Sequence, residues 1–293
     1  AGTPIAGFVI GGSGSKTMLV RAAGPALTGF GITGALSDPS LALLSSTATV
    51  ASNDNWLAAD ASTMSTAGAF AFGAGSKDAA LVATLLPGSY TAPVTAVGNT
   101  SGVTLLEVYD ASLGAGATLV NASTRAFVGT ADSVLIPGFV ISGTGSLRLL
   151  IRAVGPSLNN FGLTGLLADP TITLYRGTTA LATNDNWSTA ANAVEVATVA
   201  AAVGAFALPA GSRDAALLVT LSPGSYSAVI SGVGNTTGTA LVELYVVPPT
   251  PAPTSGVSDS RMPVWPQMSV VERSTRPGVV AARAAAAPTA DPF

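Results

Sequence analysis

LVNASTRAFVGTADSVLIPG, residues 119–138, is the stretch whose reading decides how the chain is parsed. It runs into Gly138-Phe139-Val140-Ile141, and a matching Gly7-Phe8-Val9-Ile10 stands near the start of the sequence. Its first half has no counterpart there, because the sequence begins at Ala1, where the counterpart is already over. A looser echo, VVERSTRPGVVAA, occupies residues 270–282. Aligned on Ser123-Thr124-Arg125 and Ser274-Thr275-Arg276, the two segments also match Val120 with Val271 and Val128 with Val279. One segment is thus whole between two repeats, missing in front and echoed at the back.

The repeats on either side are tandem copies. Arg21-Ala22 with Gly24-Pro25, Asp38-Pro39 and Asn53-Asp54-Asn55-Trp56 recur 131 positions later, at Arg152-Ala153, Gly155-Pro156, Asp169-Pro170 and Asn184-Asp185-Asn186-Trp187. After a five-residue insertion the offset is 136. It then holds for Asp78/Asp214, Pro87-Gly88-Ser89-Tyr90/Pro223-Gly224-Ser225-Tyr226 and Glu107/Glu243. Within the second copy, residues 147–154, 171–175, 215–221, 226–230 and 240–247 read as short β-strands. They are rich in β-branched residues and broken by Gly, Pro and Asn turns. Residues 188–203, Ala-rich with Ser188 as a possible cap, read as a short helix in a crossover. The expected fold is all-β: two tandem antiparallel sandwiches, jelly-roll-like, with a short helix in a crossover. The expected boundaries are 1–118 for a first domain lacking its first strand and 119–247 for the second. A Pro-rich linker with an apolar anchor follows at 248–269, then a donor-strand tail at 270–293.

Composition narrows function. Charged residues are 9% of the chain, against roughly 25% in typical soluble domains. Mean hydropathy is +0.54, yet no apolar run approaches the ~18 residues of a membrane span. The net charge of −3 and only two lysines, Lys16 and Lys77, argue against nucleic acid, which needs clustered basic side chains. Cysteine and histidine are absent. That removes disulfides, thiolate nucleophiles, His general bases and His or Cys metal ligands. No cofactor is expected. The Ala1-Gly2-Thr3 start reads as a terminus left by signal-peptide removal, which predicts an extracellular or cell-surface protein.

Three features attract a chemical reading. Asp54 and Asp185, inside the Asn-Asp-Asn turns, are calcium candidates, but one carboxylate per motif favours an Asx turn with the Trp packed beneath it. Arg21 and Arg152 interrupt apolar strands, and Asp38/Asp169, Asp78/Asp214 and Glu107/Glu243 recur with them. A glycosidase carboxylate pair is outweighed by structural Arg–carboxylate pairs that orient strands, because two equivalent sets stand in tandem. Gly11-Gly12-Ser13-Gly14-Ser15-Lys16-Thr17 misses the second glycine of a phosphate loop and reads as a hairpin turn. No nucleophile–base set is present, so the chain is not expected to be an enzyme.

The Asp-Pro, Asn-Asp-Asn and Pro-Gly-Ser-Tyr turns of each copy resemble those of bacterial pre-peptidase C-terminal domains, and the tandem arrangement resembles repeats of large bacterial surface proteins. The resemblance implies an exported sandwich and names no reaction. The tail, in its logic though not its motifs, resembles the donor strands of chaperone–usher pilus subunits. The expected function is therefore a structural subunit of an extracellular filament or surface polymer. Copies would join head to tail as a homo-polymer, through strand addition into domain 1 of the next subunit. Trp265, Met268, Val271, Ser274, Thr275, Arg276 and Val279 would donate, and Ile5 and Phe8 would lie at the receiving edge. The rival reading is a carbohydrate- or surface-binding accessory module.

Overall fold

The computed structural model describes residues 4–112, 116–131, 134–249 and 267–274. The first repeat contributes β1 (Ile5–Gly12), β2 (Lys16–Ala23), β3 (Pro39–Ser45), β4 (Thr49–Asn53), α1 (Ala61–Thr66), β5 (Ala79–Leu85), β6 (Gly88–Ala96) and β7 (Thr104–Asp110). The second contributes β8 (Ala117–Val128), β9 (Gly138–Ser142), β10 (Leu147–Val154), β11 (Pro170–Arg176), β12 (Thr179–Asn184), α2 (Ala193–Ala202), β13 (Ala215–Leu221), β14 (Gly224–Gly232) and β15 (Gly238–Val246). A last strand, β16 (Gln267–Ser274), follows.

Strand pairing within the second repeat is nested: β8 with β15, β9 with β14, β10 with β13, and β11 with β12. Outermost pairs with outermost in sequence, which is the winding of an eight-stranded jelly roll. The first repeat nests in the same way, as β1 with β6, β2 with β5 and β3 with β4. There the partner of β7 is β16.

The two sandwiches are not separate beads. β8 also pairs with β1, and β16 with β9, so each sheet runs unbroken through both repeats. The orders are β13-β10-β15-β8-β1-β6-β3-β4 and β12-β11-β14-β9-β16-β7-β2-β5. Exchanging the repeats converts one order into the other, so a pseudo-two-fold axis passes between the seams. One continuous core lies between the sheets, with Phe8, Val20, Leu41 and Val94 from the first repeat joined to Phe139, Ile151, Ile172 and Val242 from the second. Phe8 stacks on Tyr90 and Phe139 on Tyr226, each at 5.5 Å between ring centroids.

The middles of β2 and β10 are buried on both faces, which accounts for the apolar runs at Met18-Leu19-Val20 and Leu149-Leu150-Ile151. Met18 and Val20 face the common core. Leu19 and Ala23 face a second layer, where α1, Phe72 and Val103 cover the outside of the sheet. Leu150 and Ala216 meet α2 and Trp187 in the same way.

The structure corrects three local expectations. Residues 11–17 make no hairpin: β1 and β2 lie in opposite sheets, and the turn carries the chain from one to the other. Gly12 turns there at φ 89, and a side chain would run into the Gly116 carbonyl, 2.0 Å from its Cβ position. The helix expected over 188–203 is shorter, because residues 187–189 form a 3-10 turn. Ser188 does not cap it; its hydroxyl accepts from the amide of Gly211. The five-residue insertion lengthens this crossover, so α2 has ten residues where α1 has six.

Candidate functional site

Two arrangements distinguish this chain from a plain pair of sandwiches: the slot that β16 fills, and an ion network repeated behind each seam.

The slot lies between β7 and β9. Val270 stands opposite Val108 and Phe139, and Val271 opposite Glu107 and Gly138. In the equivalent place Ala122 stands opposite Leu244 and Phe8, and Ser123 opposite Glu243 and Gly7. β16 is therefore the structural counterpart of β8. The correspondence is Val271 with Ser123 and Arg273 with Arg125, three residues away from the alignment that the Ser-Thr-Arg match suggests. A shift by an odd number exchanges the two faces of a strand. In the observed register Val270 pairs with the equivalents of the partners of Ala122, a core residue of β8. The match of Val271 with Val120 and the equivalence of Arg276 with Arg125 are thereby corrected. The β1–β8 ladder also slips between Val9 and Ile10, leaving Val120 as an extra residue, whereas β9–β16 runs unbroken from Gln267 to Val271.

Of the residues expected to donate, Met268, Val271 and Ser274 lie in β16, while Trp265, Thr275, Arg276 and Val279 lie outside the described residues. The strand starts at Gln267, ahead of the expected boundary at 270. Ile5 and Phe8 are not at the receiving edge. Their strand has partners on both sides, β6 and β8, and Phe8 is 1% exposed in the core. Jelly-roll nesting places the receiving edge on β7, and the seam adds β9. β16 moreover occupies the slot of its own chain.

Behind the seams, Arg21 stands directly across from Glu107, and Arg152 from Glu243, on paired strands. Arg21 donates from Nε to Glu107 Oε2 at 2.8 Å and from Nη1 to the Phe70 carbonyl at 2.6 Å. Arg152 repeats this with Glu243 at 2.9 Å and the Phe206 carbonyl at 2.6 Å. Each arginine is fully buried. It ties the sheet to the crossover, with its charge balanced by the facing carboxylate. Tyr109 and Tyr245 complete the set, donating to the second carboxylate oxygens at 2.6 and 2.7 Å.

Asp78 and Asp214, also fully buried, serve the backbone. Asp78 accepts from the amides of Gly24 and Ala26, and Asp214 from those of Gly155 and Ser157. Asp38 and Asp169 pair with the exposed Lys77 and Arg213. Asn53 and Asn184 use both ends of their amides. Each donates to the carbonyl two residues on, of Asn55 or Asn186, and accepts the amide of Ala80 or Ala216 at the head of a strand. Asp54 and Asp185 are exposed beside these turns. Among the described residues no three His, Cys, Asp or Glu side chains gather as a metal site.

Burial, then the charge of Glu107 and the hydrogen bond to it, push the Tyr109 hydroxyl well above its ordinary value of about 10. Tyr245 moves the same way beside Glu243. Below pH about 10 both hydroxyls are protonated in folded and unfolded chains alike, so stability is independent of them. Above it the unfolded chain loses its protons first, and stability falls. The expected slope is about 1.4 kcal/mol per pH unit for Tyr109, measured as melting temperature between pH 8 and 11. In Tyr109→Phe the decline becomes shallower.

One ion pair has no counterpart in the second repeat, and sequence reading missed it. Lys16 and Asp110 are 2.7 Å apart, with both side chains 2% exposed. Their equivalents are Leu147 and Val246. Buried pairs exchanged for packed apolar residues are often neutral or stabilised by about 1–4 kcal/mol. The double variant Lys16→Leu/Asp110→Val is therefore expected to melt at or above the wild-type temperature. A clear drop would show that the pair holds this end of β2 in a way packing cannot replace.

Comparison with known proteins adds no relative: no family model matches the chain, and no curated protein sequence matches it significantly.

Proposed function

We propose that the chain is a structural subunit of an extracellular filament or surface polymer, built by strand exchange. Residues 267–274 fill the β7–β9 slot of their own chain in isolation and that of a neighbour in the polymer. The observation that carries this is the position of β16. A strand more than 150 residues from β7 in sequence takes the place that β8 takes beside β15. It is joined to β15 through residues 247–266, which are rich in proline. Such a segment extends at about 3.1 Å per residue, so the strand can leave its own slot and reach another. Because the ladder is identical within or between chains, the choice rests on linker geometry and concentration. A strand given to a neighbour leaves the donor's own slot empty for a further copy, so the contact propagates.

The buried carboxylates support a structural reading over a catalytic one, since each anchors an arginine, a lysine or backbone amides. The scarcity of charge fits a protein that associates with itself. Electron microscopy of the full chain at rising concentration tests the proposal. Fibres or linear chains are expected, and discrete particles of single-chain size at every concentration would overturn it.

A further inference from the structure

The repeats differ where the crossover meets the buried arginine. In the first, the guanidinium carbon of Arg21 lies 4.4 Å from the centroid of the Phe70 ring and 4.0 Å from that of Phe72. Nη1 also points at the sulfur of Met64, 3.6 Å away. Met64 and Phe72 are buried, at 2% and 6% exposure. The corresponding residues of the second repeat are Ala200 and Leu208. The equivalence of Met64 and Ala200 is fixed by their carbonyls, which accept the amides of Ala69 and Ala205, both at 2.9 Å. Phe206 keeps its place 4.3 Å from Arg152, but the thioether and the second ring are gone.

Beside these smaller side chains is a partly open cavity of about 80 Å³, lined among others by Arg152, Trp187, Val196, Ala200, Ala205 and Leu208. Nη1 of Arg152 keeps its bond to the Phe206 carbonyl, and among the described residues no side chain stands in for the Met64 sulfur. Nε and Nη2 are committed to Glu243, at 2.9 and 2.5 Å. At the positions of Met64 and Phe72 the second repeat is thus a truncation of the first, with a mainly apolar space beside the Arg152 guanidinium.

We propose that this cavity binds a small neutral molecule with an apolar body of about four heavy atoms and one hydrogen-bond acceptor. Its size follows from the volume: an apolar cavity of about 150 Å³ takes benzene, so one of this size takes a smaller body. Neutrality follows from Glu243, which already balances Arg152; an added anion would meet the carboxylate and a cation the guanidinium. The acceptor belongs where Met64 places its sulfur in the first repeat. This site is independent of the strand exchange.

Ethyl methyl sulfide, the detached side chain of Met64, is the probe. Titrated into the full chain, it should shift the NMR resonance of the Trp187 indole N–H, which is held by the Pro209 carbonyl and the Ser212 hydroxyl. Half-saturation is expected in the millimolar range, with a rise in melting temperature. Ala200→Met rebuilds the first repeat's filling and should melt higher and lose the titration; Leu208→Phe, which fills the cavity from the other side, should weaken it. No Trp187 shift up to the solubility limit of the probe would overturn the proposal. So would an undiminished titration in either filled variant.

Discussion

Removing residues 260–293 is expected to destabilise the chain by on the order of 5–10 kcal/mol and to abolish polymers. β16 is internal to its sheet, with ladders to β7 on one side and β9 on the other. Its loss bares the facing edges of β7 and β9 in mid-sheet. Backbone hydrogen bonds contribute about 0.5–1.5 kcal/mol each in net terms, and an open edge in mid-sheet invites aggregation. At roughly 2–4 °C per kcal/mol for a chain of this size, melting should fall by at least about 10 °C. A synthetic 260–293 peptide added in trans should restore it. An unchanged melt would mean that the slot is not closed by this segment in solution.

Arg152→Met is expected to cost about 3–5 kcal/mol, the usual penalty for removing one partner of a buried ion pair. Glu243 would stay buried with only Tyr245 donating to it, and the crossover carbonyl of Phe206 would lose its donor. Melting should drop by about 6–20 °C. Adding Glu243→Leu should recover part of the loss, because the uncompensated charge then disappears. A melt unaffected by Arg152→Met would contradict the tie between sheet and crossover.

Much of the fold was legible in the sequence because turns punctuate it. Residues 147–154 and 215–221 are bounded by Gly, Pro and Ser, and both became strands with those limits. The fusion of the two sandwiches was not legible. Alternation along β1 or β8 says which face is buried and nothing about which neighbour takes the edge. The register of β16 was misread for a related reason: a three-residue match says nothing about which residues of β7 and β9 the strand must pair with. The turn at residues 13–15 looked like a hairpin because glycine and serine signal a reversal without saying whether it stays in one sheet. In the ion network, the recurrence of Arg21 and Glu107 in a charge-poor chain was a usable signal. Lys16 and Asp110 gave none, since they occur in one repeat alone. The cavity becomes visible only when Met64 and Ala200 are superposed through the fold.

Strand exchange can be trapped directly, because the chain has no cysteine. Val108 and Val270 face each other across the β7–β16 ladder, at a spacing that paired strands share with disulfides. Val108→Cys and Val270→Cys are placed in separate chains, mixed under polymerising conditions, oxidised and separated without reductant. The account predicts covalent dimers that require both variants, and a ladder of linked chains when both cysteines are in one chain. A mixture that yields no dimers, beside a doubly substituted chain that closes only on itself, would contradict it.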